Sequence, residues 1–203
     1  MLGLHSLDSG RILFSNRDFL SVSDSQKREI RKEIGMVFQG SALFDSMTVE
    51  ENVMFPLKMS GVMSLKDMKE RVNFCLNRVD LNNANALYPS ELSGGMQKRV
   101  AIARAISLNP KYLFCDEPNS GLDPTTASVI DNLLKEITRE YNITTVINTH
   151  DMNSVIDIGE NIFFIKDGKK IWVGDNDTFL NSNNKDLNDF IFSSKIFKKL
   201  KFL

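Results

Sequence analysis

The chain has 203 residues, 42% of them hydrophobic and 25% charged, with a formal net charge of −1. This is the composition of an ordinary globular protein of one domain or a compact two-lobed one, and its near-neutral charge excludes the electrostatic footprint of a nucleic-acid binder. No apolar run approaches the ~18 residues of a membrane span. Residues 1–14 do not have the charged region and apolar core of a signal peptide. Cys75 and Cys115 occur in unrelated contexts, with neither metal-ligand spacing nor a disulfide framework, and read as reduced thiols of a cytosolic protein.

In chain order, residues 10–14 predict a short strand after a turn, and residues 23–34 a polar helix opened by a capping Ser or Asp. "GMVFQ" (35–39) predicts a buried strand ending in Gln39. Thr48 with Glu51 three residues on is a capping box. Leu65, Met68, Val72, Cys75, Leu76 and Val79 form one helical stripe over residues 64–79. "ELSGGMQKRVAIARAISLNP" predicts a loop and then a helix stopped by Pro110, and "YLFCDEP" (112–118) an apolar strand ending in two acids. Another amphipathic helix follows at 125–140, then a β-branched strand at 143–150 ending in His150. A hairpin turns at Asp167-Gly168, and from residue 176 on the chain reads as an Asn-rich polar tail. Strands alternating with helices predict a parallel α/β sheet covered on both faces. Ligands bind such sheets at the carboxyl ends of the strands, where Gln39, Asp116-Glu117 and His150 are expected to converge.

Two stretches carry the chemistry. At the tip of "YLFCDEP", Asp116 suits a Mg²⁺ shell and Glu117 is placed to orient or deprotonate an attacking water. Carboxylates after strands are also commonly just solvated. In "ELSGGMQKR", Ser93, Gly94 and Gly95 open a helix, where glycine lets backbone N–H groups approach an anion closely and the helix N-terminus favours negative charge. A Gly-rich cap on an ordinary helix is the plainer alternative.

"LSGGMQKRVAIARAI" resembles the signature motif of ABC-type ATPases. "MVFQ" resembles the Q-loop, "YLFCDEP" the Walker B element, "SGLDP" (120–124) the D-loop and "NTHD" the switch-histidine segment, all in the family's order. The resemblance spans essentially the whole chain. It implies a P-loop NTPase-like parallel sheet core with a small helical subdomain within about residues 40–92, and ATP with Mg²⁺ as cofactors. Glu117 would be the catalytic base, with His150 contacting the γ-phosphate. Asp116 and Gln39 would be metal and water ligands. Ser93, Gly94 and Gly95 would serve the nucleotide of the opposite subunit, and Asp123 would stand at the seam of a head-to-tail dimer, expected to be a homodimer.

Within the family, "FQGSALFDSMTVEENVMFPL" (38–57) resembles the ATPases of Mla-type phospholipid transporters. The resemblance implies that this segment docks a membrane permease, with Leu43, Phe44, Met47, Val53, Met54 and Phe55 as candidates. It also implies a peripheral location at the cytoplasmic face of the inner membrane. Uptake ATPases for amino acids share part of the pattern and stay open as the alternative. ABC ATPases of chromosome maintenance insert long coiled coils before the signature. Here Ser93 follows Gln39 by only 54 residues, without sustained heptads, which argues against a nucleic-acid role.

One element is missing from the set. The 203 residues contain no G-x-x-x-x-G-K-[ST], the loop that cradles phosphates in such ATPases. "MLGL" resembles the end of the helix that follows that loop. The expectation is therefore a chain lacking the N-terminal strands and P-loop, either because Met1 is an internal methionine of a longer protein or because the subunit is degenerate. The intact remaining motifs favour the former. A non-catalytic subunit lending its signature loop to a competent partner is the accompanying alternative. The terminal "KIFKKLKFL" could touch anionic lipid, though such tails are more often simply solvated.

Overall fold

Residues 13–18 fold back on themselves. Strands β1 (Leu13–Phe14) and β2 (Arg17–Asp18) pair antiparallel, and both residues between them, Ser15 and Asn16, have positive φ (44° and 66°), as a type I′ hairpin turn requires. The computed structural model describes residues 3, 5–61 and 63–193, which form two compact units, Met1–Asn148 and Thr149–Leu203.

In the first unit, Ser23 and Gln26 close a capping box on α1 (Asp24–Lys32). Then come β3 (Ile34–Val37), α2 (Val49–Ser60), α3 (Leu65–Arg78), α4 (Gly94–Ile106), β4 (Tyr112–Asp116), α5 (Pro124–Glu140) and β5 (Thr144–Asn148). The three long-range strands lie side by side in the order β3-β4-β5, all parallel, so the α/β fold expected of the sequence forms. One sheet face buries Val37, Leu113 and Cys115 in a single core with Val53, Leu57, Val72, Leu76, Ile102 and Leu134 of the helices. The other is covered at one end by Phe14, Phe19 and Ile30, Phe14 standing edge-on to Tyr112 at 5.1 Å between ring centroids. Cover on both faces does not extend to β5. Among the described residues it is, like β3, an edge strand with one hydrogen-bonded neighbour, and its Val146 is 44% exposed.

The helical lobe follows its sequence pattern. Thr48 and Glu51 cap α2 reciprocally, and Gly61 in the left-handed region (φ 69°) ends it. Val72, Cys75, Leu76 and Val79 are buried. Leu65, expected on the same stripe, is mostly exposed; it occupies the first position of α3, ahead of the buried stretch. From α3, the Arg71 guanidinium donates to the carbonyls of Ile106 (2.8 Å) and Ser107 (2.9 Å), satisfying oxygens that the end of α4 leaves open.

Cys75 and Cys115 are free and buried, and burial pushes their thiols up to about 11 and about 12. An unfolded thiol ionises near pH 8.5. Above that pH only the unfolded state loses these protons. The stability they permit is thus whole below pH ~8.5 and falls as pH rises toward the folded values, by up to about 1.4 kcal/mol per pH unit per thiol. Urea denaturation at pH 8 and pH 10 should show this loss, and a Cys75→Ala/Cys115→Ala variant should lose less over the same interval. Equal losses in both proteins would contradict it.

The second unit contains α6 (Met152–Ile158), a hairpin of β6 (Ile162–Lys166) and β7 (Lys169–Gly174), and helices α7 (Asn176–Phe179) and α8 (Lys185–Ile191). The hairpin turns at Asp167 and Gly168, φ 51° and 70°, as the sequence predicts. The stretch from 176 to 191 departs from the expected polar tail. Phe179, Leu187 and Ile191 form a core with Ile162, flanked by Phe164 and Trp172. The asparagines that made the stretch read as a polar tail act locally. Asn184 accepts from the Leu187 N–H (3.0 Å) to cap α8, and Asn188 donates to the Ser182 carbonyl (2.8 Å). "KIFKKLKFL" (195–203) lies outside the described residues. No helix among the described residues is long and apolar enough to cross a membrane.

Candidate functional site

Parallel strands bring their carboxyl ends to one edge, and here that edge collects Gln39, Asp116 and Glu117. Asp116 closes β4 directly opposite Asn148, the last residue of β5. Asn148 Nδ2 donates to Asp116 Oδ1 at 2.7 Å, and the Asn148 carbonyl accepts from the Glu117 N–H at 2.8 Å. Glu117 has a φ of 47°, a left-handed backbone for a non-glycine residue, of the kind that stores strain at functional sites. Two residues beyond β3, the Gln39 amide donates through Nε2 to Ser120 Oγ (3.4 Å), linking the Q-loop-like and D-loop-like segments.

The loop after Glu117 is anchored by a buried pair. Asn119 Nδ2 lies 3.1 and 3.3 Å from the two carboxylate oxygens of Asp131 on α5, and both residues are buried. Neither this pair nor Asn148 is singled out by the sequence reading. Asn148 was detectable as a polar end to "TTVIN", and Asp131 as an acid on the apolar face of α5.

Magnesium favours hard oxygen ligands and is usually held by one or two protein groups, phosphates and water. Asn148 engages one oxygen of Asp116 and leaves the other. Gln39 donates through its nitrogen and leaves Oε1. The two residues therefore fit the ligand role expected of them. No group of three or more His, Cys, Asp or Glu that could hold a metal occurs among the described residues.

Ser93, Gly94 and Gly95 stand at the start of α4. Ser93 caps the helix, its Oγ accepting from the Met96 N–H at 3.3 Å. A cleft of about 390 Å³ runs beside Ser93 and Gly95 and is also lined by Asp80, Asn83, Arg99 and Thr126. A Cβ on Gly95 would lie 2.8 Å from Thr126 Cγ2, so packing of α4 on α5 demands glycine there whatever the ligand. Asp123 caps α5 and accepts from Thr126 Oγ1 (2.5 Å) and from the N–H groups of Thr125 and Thr126 (3.1 Å each). These bonds, the Thr126 hydroxyl foremost, hold its carboxyl below the usual carboxylate range. His150 is not at a strand tip as expected: β5 ends at Asn148, and His150 is an exposed loop residue of the second unit, between Thr149 and Asp151, whose N–H donates to Thr149 Oγ1 at 3.0 Å.

The expected docking segment divides. Val53 and Met54 are buried in the lobe core (0% and 2% exposed), because they lie on the face of α2 that packs inward, so they are not docking residues. Leu43, Met47 and Phe55 are half-buried and Phe44 is exposed, with the Phe44 and Phe55 rings 4.8 Å apart. Fully buried Asn52 fixes this loop, donating to the carbonyls of Phe44, Met47 and Thr48 (3.0–3.1 Å) and accepting from the Phe44 N–H (2.8 Å).

The family model described as "ABC transporter" matches residues 1–120. Among curated proteins, the chain is 41% identical over 186 residues to methionine import ATP-binding protein MetN 2 of Bacillus cereus, covering 91% of this chain and 55% of that protein. It is 44% identical over 183 residues to MetN 1 of Oceanobacillus iheyensis, covering 90% and 54%. The chain thus spans about half the length of these relatives. Among solved structures, cbiO1 of Clostridium perfringens, part of the ABC transporter complex cbiONQ, superposes with a TM-score of 0.82 at 31% identity, covering 98% of this chain and 79% of that one. A bacterial ABC transporter cassette solved as a dimer gives 0.74 at 35%, covering 83% and 74%. The relatives' names specify methionine import, so the phospholipid expectation drawn from residues 38–57 finds no support in them. A family match over more than half of the sequence, joined by relatives above 40% identity along nine-tenths of it, establishes that the chain belongs to the ABC transporter family as an ATP-binding cassette.

Proposed function

We propose that this chain is the ATP-hydrolysing subunit of an ABC importer for an amino acid or similarly small solute, with methionine as the first candidate. The observation that carries this reading is the 41–44% identity to methionine import proteins over about nine-tenths of the chain. It replaces the lipid reading. Two cassettes would close head-to-tail over ATP. Glu117 would take the proton of the attacking water, held by its strained backbone and the Asn148 carbonyl. Asp116 and Gln39 would hold Mg²⁺, which when bound neutralises charge developing on the phosphates. Ser93, Gly94 and Gly95 would present the N-terminal end of α4 to the partner's nucleotide, Asp123 would stand at the seam, and His150 would contact the γ-phosphate. The subunit would sit at the cytoplasmic face of the membrane through its permease. A second reading is a pairing subunit that lends Ser93, Gly94 and Gly95 to a competent partner.

Docking would use the Phe44–Phe55 pair with Leu43 and Met47. Co-expression with the permease of a methionine importer should give a complex that takes up labelled methionine and does not move labelled phospholipid. Phe44→Ala/Phe55→Ala should weaken permease binding at least tenfold with an unchanged circular dichroism spectrum. Phospholipid transfer without methionine uptake would overturn the substrate assignment, and full-strength permease binding by the double variant would overturn the docking surface.

A further inference from the structure

The signature helix carries a lysine that the nucleotide chemistry does not use. Lys98 is 5% exposed, and a lysine is seldom buried without partners for its ammonium. Its Nζ donates to the main-chain carbonyl of Gln39 and to that of Glu117, the latter at 3.4 Å. One cation thus meets two of the loops that leave the catalytic edge of the sheet, those after β3 and after β4. Burial draws its pKa down while the nearby Glu117 carboxylate works against that.

Both loops have backbones that need holding. Glu117 (φ 47°), Ser41 (φ 61°) and Ala42 (φ 47°) are all left-handed without being glycine, conformations that persist only where the surroundings over-determine them. Six residues beyond Lys98 on the same helix, Arg104 donates to the carbonyls of Ser41 and Ala42, each at 2.7 Å. Two of the three cations of α4, Lys98 and Arg104, therefore bind main-chain oxygens of the strained segments, while the third, Arg99, pairs with Asp80 at 3.9 Å.

We propose that Lys98 is a positioning residue whose buried ammonium ties the loop after β3 to the loop after β4, fixing Gln39 and Glu117 with respect to each other and to the signature helix. The proposal rests on reading Gln39 and Glu117 as nucleotide-facing. Its consequence is mechanical: a displacement of α4, whose first residues are the signature motif, moves both loops together.

Hydrogen exchange of the 203-residue chain tests this without nucleotide, so it can fail while the ATPase reading stands, and the converse. The reporters are the N–H groups of Ser41 and Ala42, bonded to Phe38 and Gly40 carbonyls, and those of Glu117 and Ser120, bonded to Asn148 and Glu117 carbonyls. In Lys98→Met both pairs should exchange at least tenfold faster relative to the core amides of Leu113 and Leu134 in the same molecule. Dividing by the core amides removes any general loss of stability, which would raise all of them together. Should Lys98→Met not fold, the same ratio is read in Lys98→Gln. An unchanged ratio overturns the proposal, and so does loosening of only one loop, since a single anchor is not a tie.

Discussion

Glu117→Gln should reduce ATP turnover at least 100-fold while leaving ATP binding intact. The substitution keeps the side chain's shape and removes its ability to accept a proton, and a positioned general base contributes roughly 10²–10⁴ in rate. The position is specified by the backbone: φ is 47° at Glu117, its N–H bonds the Asn148 carbonyl, and Asn119 pins the next turn to Asp131. Glutamine makes the same main-chain contacts, so the loss is one of chemistry and not of folding. The 203 residues alone hold no phosphate-cradling loop and should turn over negligibly. The host for the experiment is therefore a chimera that supplies a G-x-x-x-x-G-K-[ST] segment ahead of residue 1. Phosphate release from that chimera sets the reference. With the variant, size-exclusion chromatography in ATP and Mg²⁺ should show a dimer that persists, because the nucleotide holding it together is not consumed. Hydrolysis by the variant within threefold of the reference would remove Glu117 as the base. Hydrolysis at ordinary rates by the 203 residues alone would refute the requirement for the absent loop.

The parts of the fold legible in the sequence are those fixed by local rules. Thr48 with Glu51, Asp167-Gly168 and the apolar run of "YLFCD" each specify an element by short-range chemistry, and each forms as read. What escaped depends on contacts between distant residues. Val53 and Met54 look equivalent to Phe44 and Phe55 in a list of apolar residues. Only the packing of α2 on α4 and α3 decides that the first two are core and the others accessible. The asparagines after residue 176 read as a polar tail because a cap is visible only once its helix exists. At the site, the motif residues Asp116, Glu117 and Ser93 were legible one by one, as was the arrival of Asp116 and Glu117 at a single edge. The groups that hold them were not: Asn148 acts through strand register, Asp131 through the depth of α5, and Lys98 through a bond between residues 59 apart in sequence.

The tightest such long-range constraint is at Gly35, and Gly35→Ala should destabilise the first unit by about 3 kcal/mol. Gly35 lies in β3 on the buried face, paired with Leu113. A Cβ there would fall inside contact distance of the Ala105 carbonyl oxygen, and 3.1 Å from both the Ala105 carbonyl carbon and Leu113 Cδ1. Neither neighbour yields easily. Leu113 is fully buried. The last turn of α4 is held from the far side by Arg71, which binds the Ile106 and Ser107 carbonyls and Asn109 Oδ1. Methyl groups forced into close-packed sites usually cost 1–3 kcal/mol, and main chain on the opposing side puts this one at the upper end. For a chain of this size the melting midpoint should fall by roughly 6–12 °C. Gly40→Ala is the internal control, since a Cβ at Gly40 meets nothing within 4 Å, and it should melt within about 2 °C of the parent. Because relief of the clash would push α4 away from β3, Gly35→Ala should also strain the Lys98 bond to the Gln39 carbonyl. Faster exchange at Ser41 and Ala42 should therefore accompany the lower midpoint. A variant that melts with the parent would show that α4 does not seat on β3 through this glycine.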